Sequence, residues 1–309
     1  MTTACHAPSG RQFELHLGDQ RIAVTEVGAA LRRYVVDGVD VLDGYPSSEM
    51  CTGARGQSFV PWPNRIADGR YTFAGEQHQL PLTEPSACNA IHGLTRWTPW
   101  HLLHDNHVSL RFGHVLPPQP GYPFALRCEI TYRLTGSGLV VETVATNVSK
   151  KPCPYATGAH PYLQLGVEHV DELRVRVPAA TWYPTDDRGI PTERRSVSGT
   201  DRDLRELRPI GDLVLDTAFT DLEQSADGTS TVLACRPDGS SVELWMDEQY
   251  RYVELFTGDS LPQEQRRRRS LGVEPMTAAP NAFRTGDGLV TLEPGSSHRA
   301  SWGLRAEFG

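Results

Sequence analysis

No uninterrupted apolar run in the 309 residues approaches the ~18 that a membrane-spanning helix requires. Basic charge is scarce: 30 Lys and Arg against 38 Asp and Glu leave a net charge of −8. Nucleic-acid binders draw most of their affinity from the opposite balance, cations neutralising phosphates, so neither a nucleic acid nor a membrane is expected as partner. Residues 1–6 have no basic n-region and no apolar h-region, which gives the expectation of a cytoplasmic chain. The six cysteines (Cys5, Cys51, Cys88, Cys128, Cys153 and Cys235) form no Cys-x-x-Cys unit, removing zinc-ribbon and thioredoxin readings. They read as reduced, incidental thiols, because a chain of this length builds a core without disulfides. There is no phosphate-cradling G-x-x-x-x-G-K-[ST], no G-x-G-x-x-G after a strand and no H-E-x-x-H. The segment Gly56-Gln57-Ser58-Phe59-Val60 starts like a nucleophile elbow but lacks its closing glycine.

Helix signals are equally few, because 28 glycines and 23 prolines are spread along the whole chain. The one short helix expected covers residues 201–207, capped by Thr200 or Asp201 and stopped by Pro209. What is abundant is a period of two. Leu126, Cys128, Ile130, Tyr132 and Leu134 alternate with Arg127, Glu129, Thr131 and Arg133. Segments 173–177, 242–246 and 108–113 repeat the pattern, and shorter β-rich runs lie at 13–17, 22–25, 252–256, 289–292 and 300–304. Such alternation puts one strand face on a core and the other in water. The expected fold is therefore all-β, a large antiparallel β-sandwich in a single domain spanning 1–309, with residues 184–199 as a long surface loop.

Polar residues held among turn formers mark the candidate site. Asn64 and Arg65 follow the stiff Pro61-Trp62-Pro63; His92 precedes Gly93, where backbone approaches a ligand closely; His160 precedes Pro161, which biases it to an extended conformation; Glu274 sits before Pro275 in an apolar run. Each alone reads as an ordinary turn or ion-pair residue, but four together point to a site. His101, His104 and His107, three apart, read as exposed histidines in a turn, not as metal ligands.

The ordered set Pro63-Asn64-Arg65-Ile66, Gly69-Arg70-Tyr71-Thr72-Phe73, Asn89-Ala90-Ile91-His92-Gly93, His160-Pro161-Tyr162 and Val273-Glu274-Pro275 resembles the aldose 1-epimerase (galactose mutarotase) family, over residues 28–302. Leu215-Asp216-Thr217-Ala218-Phe219 is similar to its sugar-binding aspartate segment, and Glu254 stands where galactose mutarotases carry glutamine. The resemblance implies a β-sandwich enzyme that interconverts the α and β anomers of a hexose, with no metal or organic cofactor. Opening a cyclic hemiacetal needs a base on the anomeric hydroxyl and an acid on the ring oxygen. Glu274, ionised, is the expected base and His160, protonated, the expected acid, with roles reversed on closure. His92 and Arg65 would steady charge at the ring oxygen, Asn64, Asp216 and Glu254 would meet hydroxyls, and Trp62 or Tyr162 would face the sugar's C–H groups. The expected partner is one monosaccharide, on a monomer or homodimer.

Two rival readings use the same residues. A glycoside hydrolase would flank its bond with Glu274 and Asp216 or Glu254 but leave both histidines without a task. A non-catalytic sugar-binding module would have no need of both proton-transfer groups. Arg266, Arg267, Arg268 and Arg269 read as a solvated loop, which favours neutral hexoses over the alternative of a phosphorylated or sulfonated sugar.

Overall fold

The alternation at 126–134 becomes the strand Leu126–Thr135, its apolar residues buried and Arg127 and Arg133 exposed, in a computed structural model that describes residues 7–308. Cys5 lies outside the described residues. This strand turns directly into Gly138–Asn147, Thr135 pairing with Gly138. Together they centre a nine-stranded antiparallel sheet whose order is His101–Asp105, Ser109–Leu116, Leu126–Thr135, Gly138–Asn147, Ser297–Glu307, Ser241–Met246, Ser230–Cys235, Arg174–Arg176 and Arg208–Pro209.

A second, eight-stranded sheet carries the chemistry. Asp216–Leu222, Tyr252–Phe256 and Leu271–Met276 run side by side through its middle, and Gly158–Ala159 and Tyr162–Leu163 both pair with Leu271–Met276. Its alternate residues separate cleanly. Phe219, Val253, Leu255, Leu271 and Val273 join Ile130, Tyr132, Val141 and Leu244 of the first sheet in one apolar cluster. The intervening Ala218, Tyr252 and Met276 form a separate small cluster with Tyr183. Period two therefore turns Glu254 and Glu274 away from the shared core, towards the outer face of this sheet. The fold is an all-β antiparallel sandwich, as the alternation implied.

Two local expectations fail. Residues 201–207 form turns, not a helix, because neighbouring strands claim their carbonyls: Leu204 accepts from the Val177 N–H, Arg205 from Arg176 and Leu207 from Arg174. Among the described residues the single α-helix is the one-turn Ala282–Thr285. His101 and His104 lie on an edge strand and not in a turn, since His101–Asp105 pairs with Ser109–Leu116; both remain exposed.

Gly93, at φ 68°, lies so close to Val60 that a Cβ would stand 2.3 Å from its carbonyl oxygen. This contact seats the turn that presents His92. Gly93→Ala must both strain a left-handed backbone and push that carbonyl away, and is expected to lower unfolding free energy by about 2 kcal/mol or more. Urea denaturation checks it; an unchanged midpoint would contradict the contact.

Candidate active site

Sheet register brings the central pair together. Gly158 pairs with Met276 and Tyr162 with Gly272, which leaves His160 directly across from Glu274. His160 Nε2 lies 3.1 Å from Glu274 Oε1, and both side chains are about 5% exposed. Gly272 makes room for the imidazole, as a Cβ there would stand 3.3 Å from His160 Cε1. Tyr162 stacks on the ring, centroids 4.5 Å apart and planes at 8°, and its hydroxyl donates to the Gly53 carbonyl. On Glu274's other side the cross-strand neighbour is Glu254, whose Oε2 accepts a hydrogen bond from the Asn64 amide at 3.0 Å.

The second histidine comes from a two-stranded ladder, Arg65–Ala67 with Asn89–Ile91, whose end places Asn64 beside His92. Both adopt left-handed backbone, φ 52° and 60°. The Asn64 N–H donates to His92 Nδ1, so the proton of the neutral ring is assigned to Nε2. Phe59 stacks on the ring at 3.8 Å. Arg65 is clamped by Glu84 at 3.0 Å and lies 3.9 Å from Asp216. The backbone of the 184–199 loop covers its guanidinium at Gly189.

Burial acts oppositely on the pair. Desolvation, reinforced by the charges of Arg55 and Arg96, lowers His160 to about 3. Desolvation and the Asp216 charge push Glu274 well above the usual carboxylate range. Both shifts run towards a carboxylic acid beside a neutral imidazole, the opposite direction from the carboxylate and imidazolium expected from sequence. Glu254 is likewise raised, by burial first and then by Asp216 and Glu274. His92 is held neutral by burial and the Arg96 charge.

These groups line a cavity of about 250 Å³, with Asn64, Arg65, His92, His160, Tyr162, Asp216 and Glu274 all on its wall. Residues 11–305 match the model of the aldose 1-epimerase family. The chain belongs to that family. It is 34% identical over 293 residues to the uncharacterized protein YihR of Escherichia coli (strain K12), covering 94% of this chain and 92% of that one. It is 28% identical to the aldose 1-epimerase of the same organism, over 65% of this chain and 60% of that enzyme. The fold is similar to that of the GalM/aldose epimerase homologue from C. elegans, with a TM-score of 0.86 at 19% identity, covering 96% and 98% of the two chains.

In this aldose 1-epimerase family member, eight of the nine residues expected from sequence come together, seven on the cavity wall and Glu254 off the wall, bonded to Asn64. Trp62 does not. It is 2% exposed, packed against Phe283 in the core. The left-handed turn at Asn64 swings the following chain to the cavity and leaves the indole behind. Trp97, 46% exposed, lies on the cavity wall with the Arg96 guanidinium over its ring at 5.4 Å; Trp97, Arg96 and Glu84 line the cavity without having been expected. Their signal was adjacency, since Arg96 and Trp97 follow His92-Gly93 by a few residues. The arginine run is a surface loop on which alternate side chains, Arg267 and Arg269, are exposed while Arg266 and Arg268 are tied down in ion pairs. Arg266 binds Asp43, Arg268 binds Asp171 and Asp259, and Arg267 donates to the Leu261 carbonyl; none of the four lines the cavity. One cluster escapes sequence spacing altogether: ligand atoms of His92, His160 and Glu274 lie within 4.8 Å of one another, a spacing that would also suit a cation.

The shifts carry a sign. An imidazole that refuses its proton in the fold lets the unfolded chain gain below pH 6.5, so its contribution is present above 6.5 and lost as pH falls towards about 3. A raised carboxyl contributes fully below its unfolded 4.5 and loses that as pH rises through its folded value. Relative to the parent, His160→Asn should therefore gain thermal stability as pH falls below 6.5, and Glu274→Gln as pH rises above 4.5. Melting temperatures over a pH series check both, and parallel curves would sink the assignment.

Proposed function

We propose that this protein is an aldose 1-epimerase that opens and recloses the pyranose ring of an aldohexose. The observation that carries the reading is the 3.1 Å contact between His160 and Glu274 on the wall of the cavity. The two hemiacetal oxygens share one carbon, so an acid and a base serving them together must be near neighbours. A single proton is enough. Transfer within the pair gives carboxylate and imidazolium; Glu274 then takes the anomeric hydroxyl proton while His160 protonates the ring oxygen, and the C1–O5 bond breaks as the aldehyde forms. Rotation about C1–C2 presents the other face of the carbonyl, and the reverse transfers close the ring. His92 Nε2–H would donate to the ring oxygen as charge builds. Asp216, Asn64 and Arg65 would hold ring hydroxyls, with Trp97 against C–H groups. This reading gives both histidines work, which a hydrolase reading does not.

A second reading concerns the substituent on C6. Arg96 lines the cavity, is half-buried and makes no ion pair among the described residues. Its charge is felt at both histidines, on the side where the ring oxygen and therefore C5 and C6 would lie. This favours a sugar phosphorylated or sulfonated there over the neutral hexose that Asp216 and Glu254 suit, although the run 266–269 takes no part.

Glu274→Gln should lower kcat for anomer exchange by about 10²–10⁴-fold, with measurable sugar binding retained. Adding His160→Asn should cost little more, since the two act as a unit. Saturation-transfer NMR measures both, and near-parental exchange in Glu274→Gln would refute the reading. The same assay with EDTA should show no loss, whereas loss restored by a divalent metal would overturn the proton-only mechanism. Across a sugar panel, a kcat/KM on a 6-phosphate or 6-sulfonate hexose far above that on glucose or galactose, abolished by Arg96→Met, selects the anionic substrate. The converse selects the neutral one.

A further inference from the structure

Behind His160 lies a buried chain of charge that the proposed proton transfers do not use. Arg55 is 2% exposed, its Nε bonded to Asp43 Oδ2 at 3.1 Å and its NH1 to the Thr52 carbonyl at 2.9 Å. Asp43 also accepts from Arg266 and from the Ser270 hydroxyl, each at 3.1 Å. One carboxylate thus lies between two guanidinium groups, and Arg266 reaches a second, Glu49, at 3.9 Å at the exposed end of the chain. Arg55 NH2 is moreover buried without a hydrogen-bond partner among the described residues. The Arg55 guanidinium carbon stands 4.8 Å from the centre of the Tyr162 ring, the ring on which His160 stacks.

We propose that Arg55 is a positioning residue for His160: anchored by Asp43, it pins Tyr162 as the wall that orients the imidazole and sets its own guanidinium charge behind that wall. The inference rests on reading His160 as half of the proton-transfer pair. It also finds a task for one arginine of the 266–269 run. The other groups facing His160 are Glu274 across the strands, His92 at 5.7 Å between ring centres, Arg96 through its charge, and the edges of Phe59 and Phe256. Glu274 and the backbone of His160 itself favour a proton on the ring, the Tyr162 hydroxyl lies 3.5 Å from Nε2, and Arg55 and Arg96 oppose the proton. Arg55 therefore acts together with burial against the imidazolium, in the direction found for His160.

The test is Arg55→Met, which removes the charge at similar length, beside Arg55→Lys, which keeps the charge but not the planar fork. In Arg55→Met the His160 titration, followed by NMR on the protein alone, should move up towards the ordinary 6.5, with the acid limb of kcat/KM moving the same way. Its kcat should fall about tenfold or more with KM nearly unchanged, as expected for a displaced proton-transfer group. Arg55→Lys should restore the titration but not the full kcat. A folded Arg55→Met whose His160 titration and acid limb both stay at parental values overturns the proposal. Should Arg55→Met not fold, Arg266→Ala loosens the same chain from its more exposed end. It must raise the titration in the same direction to a smaller extent, and an unmoved titration there is equally fatal. Absence of anomer exchange in the parent protein would sink the functional reading instead, and the NMR titration still decides the role of Arg55.

Discussion

Everything at the site depends on two polar side chains being buried against each other on the outer face of a β-sheet. Glu274 and His160 meet at 3.1 Å because the register of antiparallel strands sets them opposite one another. Neither would tolerate that depth alone, since an unpaired buried charge is costly and an unpaired buried polar atom is only less so. Burial acts against charge on both, pushing the carboxyl up and the imidazole down. The same condition suits proton exchange with a hemiacetal, where a proton must leave one oxygen and arrive at its neighbour.

The surrounding architecture consists largely of devices that keep this pair in place. Gly272 gives the imidazole space over the strand, and Tyr162 gives it a surface to stack on. Asn64 and His92 hold left-handed conformations that cost backbone energy and are fixed by reciprocal bonds: Asn64 N–H to His92 Nδ1, His92 N–H to the Asn64 carbonyl. Such local strain persists only where the neighbouring structure over-determines it. Here Phe59 stacked on His92 and Gly93 against Val60 supply that constraint.

Charge is distributed unevenly around the cavity. Asp216, Glu84 and the buried Glu254 gather about Arg65, which they neutralise. Arg96 and the more distant Arg55 act on the histidine side. A ligand bound with its ring oxygen towards the histidines would meet acceptors at its hydroxyls and positive potential beyond its ring oxygen. This polarity, more than any one residue, is what a substrate has to match.

The alternation at 126–134, 173–177 and 242–246 determined strands, faces and fold class by itself, because a period of two is a local property of the chain. The polar residues set between Gly and Pro were also legible, since turn formers fix the backbone around them. Trp62 was misread because neighbouring residues leave an αL turn in different directions, and the helix at 201–207 because Arg174, Arg176 and Val177 claim its carbonyls from another strand. The ion pairs of Arg266 and Arg268, and the place of Arg96 and Trp97 on the cavity wall, lie equally beyond local reading. Partners for a charged side chain come from segments far away in sequence: Asp43 for Arg266, Glu84 for Arg65, Glu274 for His160. Which residues carry a proton was decided by the tertiary structure alone, because desolvation depends on what the whole fold packs around a group and not on its neighbours along the chain.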